Sequence, residues 1–335
     1  MSKGTVLVTG GAGYVGAHVC KALAQAGYVP IAFDDLRTGH ADAVRWGPLV
    51  RADIADREAL DATLDAQKPI ACIHMAASCY VGDSVREPDL YWRNNVSATG
   101  TLLAALRSRG INRFVFSSSC SLYAPSDRDL HEHAPTGPLS PYGRTKLVVE
   151  WILQDIAATG ALNFVALRYF NAAGADPDGE AGERHDPETH LIPLALDVAA
   201  GDRSELLVFG DSHATPDGTC IRDYVHVSDI AAAHVLALSH LARGAPVGAF
   251  NLGLGRGYSV KEVVAACERV TGRAVRTRIA PPRAGDAPRL VADPMRARTL
   301  LGWTPKFDSL DEIIASAWSF RAAQRSRQRE MARNG

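Results

Sequence analysis

An α/β fold, with a doubly wound parallel sheet in the first half of the chain and a smaller mixed α/β unit after it, is predicted by three observations. Short, near-continuous apolar segments alternate with segments of helical periodicity, which implies strands covered on both faces. The first strand runs straight into a glycine-rich turn, "TGGAGYVGAH". Beyond about Ala172 the regular alternation gives way to long loops rich in Gly, Pro, Asp and Arg, with short helices between them.

The elements follow in order. "TVLVTG" reads as a strand, and "GYVGAHVCKALAQAG" has helical periodicity that stops at Gly27, a natural C-terminal cap. Strands "YVPIAFDD" and "GPLVRADI", helix "DREALDATLDAQ" and strand "ACIHMA" come next. A long helical stretch, "DLYWRNNVSATGTLLAALRSRG", leads to strand "RFVFSSS". The helix opened by "SPYGRTK" runs on as "LVVEWILQDIAATG" before strand "NFVALRYF". Right-handed crossovers between such strands wind helices onto both faces of one sheet, the Rossmann-type arrangement. The expected division is a dinucleotide-binding domain over 1–171 and a substrate domain over 172–330, with parts around 220–252 returning to the first. The later helices are "HLIPLALDVAAG", "SDIAAAHVLALSHLARG", "SVKEVVAACERVTG" and "SLDEIIASAWSF"; the polar, basic end, 331–335 in particular, is expected to fray.

Composition narrows the function classes. A net charge of -1 over 335 residues gives no reason to expect nucleic acid or a charged membrane surface as partner. No apolar run is long enough for a membrane span, and the start has no signal-peptide pattern, so a cytoplasmic location is expected. The six cysteines are scattered without CxxC spacing and are expected to be reduced and mostly buried. The eleven histidines form no HxxxH or HExxH with matching ligands, so no metal is expected.

Two motifs carry chemistry. Gly10, Gly13 and Gly16 form GxxGxxG, with Gly11, Gly13 and Gly16 nested as GxGxxG, between a strand and a helix. That context suits a pyrophosphate against a helix N-terminus. The next strand ends at Asp34, 18 residues after Gly16, where a carboxylate accepts from ribose hydroxyls and repels a 2'-phosphate. NAD is therefore expected rather than NADP, with Arg37 only softening the preference. Asp53 and Ile54 end the third strand where adenine would lie, and His74 to Ser78 place small residues along the cofactor's path. The second motif is the strand end Ser117, Ser118, Ser119 followed by Tyr142 and Lys146, one helical turn apart. An ammonium beside a phenol favours phenolate, and a serine orients the reacting oxygen, which suits alcohol oxidation or ketone reduction beside a nicotinamide.

These motifs, TGxxGxxG and YxxxK, resemble the extended short-chain dehydrogenase/reductase superfamily. Within it the chain is similar to the UDP-glucose 4-epimerase family over nearly its whole length, through "DDLRTGH", "VGDSVREP", "FSSSCSLY", "LRYFNAAGAD", "HLIPL", "DGTCIRDYVHV", "NLGLGRGYSV", "RAGDAP" and "LGWTP". The resemblance implies interconversion of UDP-glucose and UDP-galactose through a 4-keto sugar that rotates in the site, with NAD tightly bound and a homodimer paired through the helices around Asn94–Arg109 and Tyr142–Thr159. Tyr142 would be the base, Lys146 would hold the nicotinamide ribose and Ser119 the sugar 4-hydroxyl. Further cofactor contacts are implied at Tyr14, Val15, Asp35, Leu36, Thr38, Gly39, Met75, Ala76, Ala77, Asn94, Ser117 and Phe170. Implied substrate contacts are Asn171, His190, Leu191, Leu207, Val208, Phe209, Arg222, Arg283 and Asp286, the arginines being apt for a diphosphate.

Some positions depart from the family. Cys79 stands where some members have lysine, His190 where some have asparagine, and "CSLYA" where "ATVYG" is frequent. Leu290 falls where a tyrosine in some members is associated with excluding N-acetylated sugars, which leaves UDP-N-acetylhexosamines, and likewise UDP-pentoses, as alternative substrates. A dehydratase would want an acidic pair beside Ser119, where Cys120 and Ser121 stand; a non-catalytic NAD-sensing regulator would have lost Ser119, Tyr142 and Lys146.

Overall fold

The computed structural model describes residues 2–245, 247–283 and 285–334, with side chains described as far as residue 326. β1 (Thr5–Thr9) leads into α1 (Tyr14–Gln25), followed by β2 (Val29–Asp34), β3 (Leu49–Arg51), α2 (Arg57–Gln67) and β4 (Ala71–His74). Two short helices, α3 (Val81–Arg86) and α4 (Pro88–Tyr91), pass through a wide π-type stretch (Trp92–Ser97) into α5 (Ala98–Arg107). β5 (Arg113–Ser119), α6 (Pro141–Ala158), β6 (Asn163–Tyr169) and β7 (Asn171–Ala173) follow. The second half holds α7 (Leu191–Ala200), β8 (Leu206–Phe209), β9 (Ile221–Arg222), β10 (Tyr224–His226), α8 (Val227–Ala242) and β11 (Gly248–Leu252). It ends with β12 (Tyr258–Ser259), α9 (Val260–Thr271), β13 (Thr277–Ala280), β14 (Arg289–Leu290) and α10 (Leu310–Asn334).

Seven parallel strands form the central sheet in the order β11-β6-β5-β4-β1-β2-β3. Side chains alternate across it. Val6 and Val8 of β1 pack with Val19 and Leu23 of α1 and Ile230 and Leu241 of α8. Leu7 between them packs on the other face with Leu60 and Leu64 of α2, Leu102 and Leu106 of α5, and Val149 and Leu153 of α6. Each such side chain, fully buried, contributes roughly 1.5–3 kcal/mol, and the two layers fix the sheet between them. The strand order reverses between β1 and β4, so the carboxyl ends of these strands open onto the crevice where such sheets bind ligands.

The 220–252 region rejoins this sheet: β11 pairs with β6, and α8 packs on α1. Leu301 and Trp303, from much later in the chain, enter the same layer, and the Trp303 indole donates to the Asp229 carbonyl at 2.9 Å. A separate core joins α7, α9 and the start of α10 through Ile192, Leu196, Val263, Ala266, Ile313 and Ile314.

The end of the chain corrects the expectation of a frayed tail. The backbone stays helical from Leu310 to Asn334, residue 335 lying outside the described part. Ala, Gln, Arg and Glu in "RAAQRSRQRE" are strong helix formers, and Arg321 and Arg325 both pair with Asp202, just past α7. Among the described residues no helix is long and apolar enough to cross a membrane.

Candidate active site

A cavity of about 570 Å³ opens at the switch point between β1 and β4. Gly10, Gly13, Tyr14, Val15 and Gly16 line one end of it. Gly10 has φ +72°, and a Cβ there would meet the Ala76 backbone nitrogen at 2.7 Å; a Cβ on Gly16 would stand 2.0 Å from the Gly10 carbonyl oxygen. The turn therefore accepts only glycine at both places, and it leaves the α1 N-terminus without any side-chain cap at Gly13. Gly11 packs behind the turn, its Cβ position 2.8 Å from Ala32, and does not line the cavity.

Asp34 ends β2 facing the cavity; its carboxylate accepts from Ala12 N and Leu36 N, both at 2.9 Å. Burial raises its pKa, and the two backbone donors pull the other way. Leu36 itself, at φ +62°, lies outside the lining, whereas Asp35, Thr38, Gly39, Asp53 and Ile54 belong to it. Arg37 is held by Asp35, by Asp53 at 3.4 Å and by the Asn94 side chain at 3.0 Å. A guanidinium so occupied is poorly placed to receive a 2'-phosphate. Met75, Ala76 and Ala77 line the next stretch, with Asn94 from the wide turn beside them. The residue that holds this wall is Asn95, which motif reading passed over: its side chain accepts from Ser78 N at 2.8 Å and donates to Ser78 O at 2.9 Å and Thr145 Oγ1 at 3.1 Å.

At the other end of the cavity stand Ser119, Tyr142 and Lys146. Ser140 caps α6, accepting from Gly143 N at 3.2 Å, so the serine of "SPYGRTK" sets where the helix starts and which face carries Tyr142 and Lys146. Ser119 lies close enough to the Tyr142 hydroxyl to pull its pKa down. The Lys146 ammonium donates to the Ser117 carbonyl at 2.8 Å and lies 5.9 Å from the centre of the Tyr142 ring. Ser117 thus acts through its carbonyl: its side chain is 1% exposed, turned to His234 at 3.2 Å, and does not face the cavity.

Burial drives both ends of this pair toward neutrality. It raises the Tyr142 phenol well above its ordinary value, with Tyr169 and Cys79 adding to it and Ser119 opposing. It lowers Lys146 to about 8, against Cys79 and Glu150. Burial thus opposes the ammonium-stabilised phenolate expected from the motif, desolvation being the largest influence on the Tyr142 phenol. Phe170 and Asn171 continue the lining.

His190 reaches the cavity in company that the motifs did not announce: Glu183 and His185 line it with His190, and Glu188 binds both imidazoles. Bonds to these carboxylates outweigh burial and raise His185 to about 9 and His190 well above its ordinary value. Leu191 opens α7 and packs with that helix's core instead of the cavity.

The remaining predicted substrate residues form a second group, outside that lining. Arg283 lies over the Phe209 ring, 3.7 Å from its centre, on the strand that also carries Leu207 and the buried Val208. Arg222 pairs with Asp286 at 3.6 Å. Its neighbour Asp223 is no partner: that carboxylate is consumed by Leu254 N, Gly255 N and Ala292 N, at 2.8, 3.0 and 3.2 Å. The group connects to the catalytic strand, since the Arg222 charge acts on Cys120, next after Ser119. Leu290 pairs with Arg222 in β14 and β9 and packs in the cluster of Cys120, Leu122 and Phe170.

A dinucleotide cradle, a Ser/Tyr/Lys group at the other end of one cavity and a second lobe bearing paired arginines define an enzyme that does reversible redox chemistry on a phosphorylated ligand. A model of the NAD dependent epimerase/dehydratase family matches residues 6–253, and the chain belongs to that family. It is 50% identical over 323 residues to the UDP-glucose 4-epimerase of Rhizobium leguminosarum bv. trifolii, covering 96% of this chain and 98% of that one. The crystal structure of UDP-glucose 4-epimerase from Brucella ovis in complex with NAD is similar, with TM-score 0.91 and 51% identity over 94% of this chain and 98% of that one. So is the Stenotrophomonas maltophila UDP-glucose-4-epimerase with bound NAD and formylated UDP-arabinopyranose, with TM-score 0.92 and 41% identity over 96% and 99%.

Proposed function

We propose that this chain is an NAD-dependent 4-epimerase that interconverts UDP-glucose and UDP-galactose. The observation that carries the reading is the Ser119–Tyr142–Lys146 group at one end of the cavity whose other end is the glycine turn and Asp34. Gly10, Gly13, Gly16, Asp34, Asp53, Asn94 and Lys146 would hold NAD, which supplies a reversible hydride acceptor so that the sugar returns with no net redox change. Tyr142 takes the proton of the 4-hydroxyl and gives it back to the same oxygen once the 4-keto sugar has turned to present its other face. Ser119, beside Tyr142 in the cavity wall, steers that oxygen, and Lys146, anchored on the Ser117 carbonyl, sets the charge next to the phenol. In the lobe formed mainly by 172–330, Arg222 and Arg283 are suited to the diphosphate and Phe209 to uracil stacking.

The neighbours of Ser119 support epimerisation over dehydration. Cys120 is buried, and neither it nor Ser121, the two residues after the serine, is a carboxylate that could draw a proton from C5. Leu290 supports a roomier pocket and is the reason to include N-acetylated sugars in the test. A second copy would pair through α5 and α6, where Trp151 is 51% exposed.

The test incubates UDP-galactose, UDP-N-acetylgalactosamine and UDP-xylose with protein as purified, without added NAD, and resolves products by proton NMR. UDP-galactose is expected to convert to UDP-glucose, and Tyr142→Phe to lose roughly 10²- to 10⁴-fold in turnover while keeping its NAD. Conversion of another sugar alone moves the substrate. No conversion, even with NAD restored, ends the epimerase reading.

A further inference from the structure

The loop between β7 and α7 brings two histidines and two glutamates to one point. Glu183 Oε1 lies 3.0 Å from His185 Nδ1 and 2.8 Å from His190 Nδ1. Glu188 reaches the same two nitrogens, at 3.6 and 3.0 Å. One donor atom from each of the four side chains falls within 4.8 Å of all the others. We infer that Glu183, His185, Glu188 and His190 form a four-ligand site for a divalent transition metal of the zinc class.

The geometry fits that ion. A tetrahedron with metal–ligand bonds of about 2.0–2.1 Å has edges near 3.4 Å; Glu183 Oε1 stands 3.0 and 2.8 Å from the two imidazole nitrogens, and Glu188 offers Oε2 at 3.6 Å from His185 and Oε1 at 3.0 Å from His190, so small rotations of these side chains reach that spacing. Two carboxylates balance a divalent charge, and two imidazole nitrogens favour zinc over magnesium or calcium, which prefer oxygen throughout. Four protein ligands fill a tetrahedron, the mark of a structural site. Such an ion ties 183–188 to His190, the residue just before α7, and so holds the stretch of cavity wall that Glu183, His185 and His190 supply. A ligand at Nδ1 also fixes the other nitrogen of each imidazole as the N–H donor. The molecule's other carboxylate cluster, Asp176, Asp178 and Glu180, makes an internal control. It is already neutralised by the Lys21 ammonium, at 2.8, 2.6 and 2.7 Å.

The test uses the full chain with its bound NAD, stripped with EDTA, desalted and titrated with ZnCl2 by calorimetry, and separately with CoCl2 followed by visible absorption. One zinc per chain, an intense tetrahedral cobalt spectrum abolished by added zinc, and a zinc-dependent rise in melting temperature are expected. Glu188→Gln keeps the shape and most hydrogen bonds and should weaken zinc binding at least tenfold; His185→Ala should do the same, and Glu180→Gln should change nothing. NAD content checks that each variant is folded. Three results overturn the site: no saturable zinc uptake by the parent chain, a cobalt spectrum of octahedral type, or undiminished binding in Glu188→Gln. In that event protons alone join the four side chains. Because the readouts are metal content, spectrum and melting temperature, failure here leaves the epimerase reading standing.

Discussion

Arg168→Met is the most demanding test of how the catalytic strand is supported. Arg168 of β6 and Glu150 of α6 are 7% and 1% exposed in their side chains. Arg168 Nε lies 2.9 Å from Glu150 Oε1 and Nη2 2.5 Å from Oε2, while Nη1 donates to Tyr123 OH and the Glu132 carbonyl, both at 2.9 Å. Ser118, adjacent to Ser119, donates to the same carboxylate at 2.5 Å. Removing the guanidinium strands a buried carboxylate, which costs about 3–5 kcal/mol. For a chain of 335 residues, with about 2.1 cal/mol/K of unfolding entropy per residue, that is a fall in Tm of about 4–7 °C. The assay is calorimetry on the NAD-bound protein, with Glu150→Met/Arg168→Met as partner, which removes both charges and should recover at least half of the loss. Turnover should fall in the single variant as well, because Glu150 lies one turn beyond Lys146 and binds the neighbour of Ser119. A single variant that melts within 1 °C of the parent, or a double variant worse than the single, would refute the reasoning.

Two further expectations concern the ends of the cavity. Gly16→Ala places a Cβ 2.0 Å from the Gly10 carbonyl oxygen, so the turn must open and the NAD content of purified protein should fall at least tenfold; an acid extract measures it, and full NAD content would show the cradle to be pliable. Lys146 titrates at about 8 in the fold against 10.5 when free. Between those values the unfolded chain binds the extra proton, so this lysine makes stability rise with pH across that window, by about 3 kcal/mol in all. Denaturation of the parent and of Lys146→Met at pH 8 and 10.5 should differ by that increment, and parallel curves would mean that Lys146 is not desolvated.

What could be read beforehand was local or periodic. The glycine turn, the carboxylate closing β2 and the Tyr/Lys turn of α6 are each contained in one short segment, where spacing fixes geometry. The parallel sheet followed from apolar runs that bury both faces. The return of β11 to the edge of that sheet was signalled only as a region, and the entry of Trp303 into its core not at all, since that depends on where a distant loop comes back. Arg168 and Glu150 belong to different elements and meet only because β6 lies against α6. Glu183, His185, Glu188 and His190 occupy one short loop, yet their spacing matches no regular helix or hairpin motif. Only the folded loop turns all four inward. Ser117 was expected near the cofactor from its place at the strand end; which of its groups faces the site depends on the fold, which sends its hydroxyl toward His234 and leaves its carbonyl for Lys146.

The two halves of the site are built from different materials, and the difference bears on the chemistry. The cofactor end relies on backbone: glycines that tolerate no Cβ, an uncapped helix start and a carboxylate pinned by Ala12 N and Leu36 N. Such groups lose little entropy when a ligand binds and cannot easily rearrange to release it. At the other end the cationic groups are long side chains with replaceable partners. Arg222 keeps a 3.6 Å pair with Asp286, and Arg283 rests on a ring. On the proposed function, a diphosphate would draw these guanidiniums from such partners with better hydrogen bonds than they give up. Beside them, Tyr142 and Lys146 share one turn of α6, and Lys146 is anchored to β5 through the Ser117 carbonyl. A reaction that must hold its redox partner through many turnovers, while each substrate enters, turns over in place and leaves, calls for this division of rigid and exchangeable contacts.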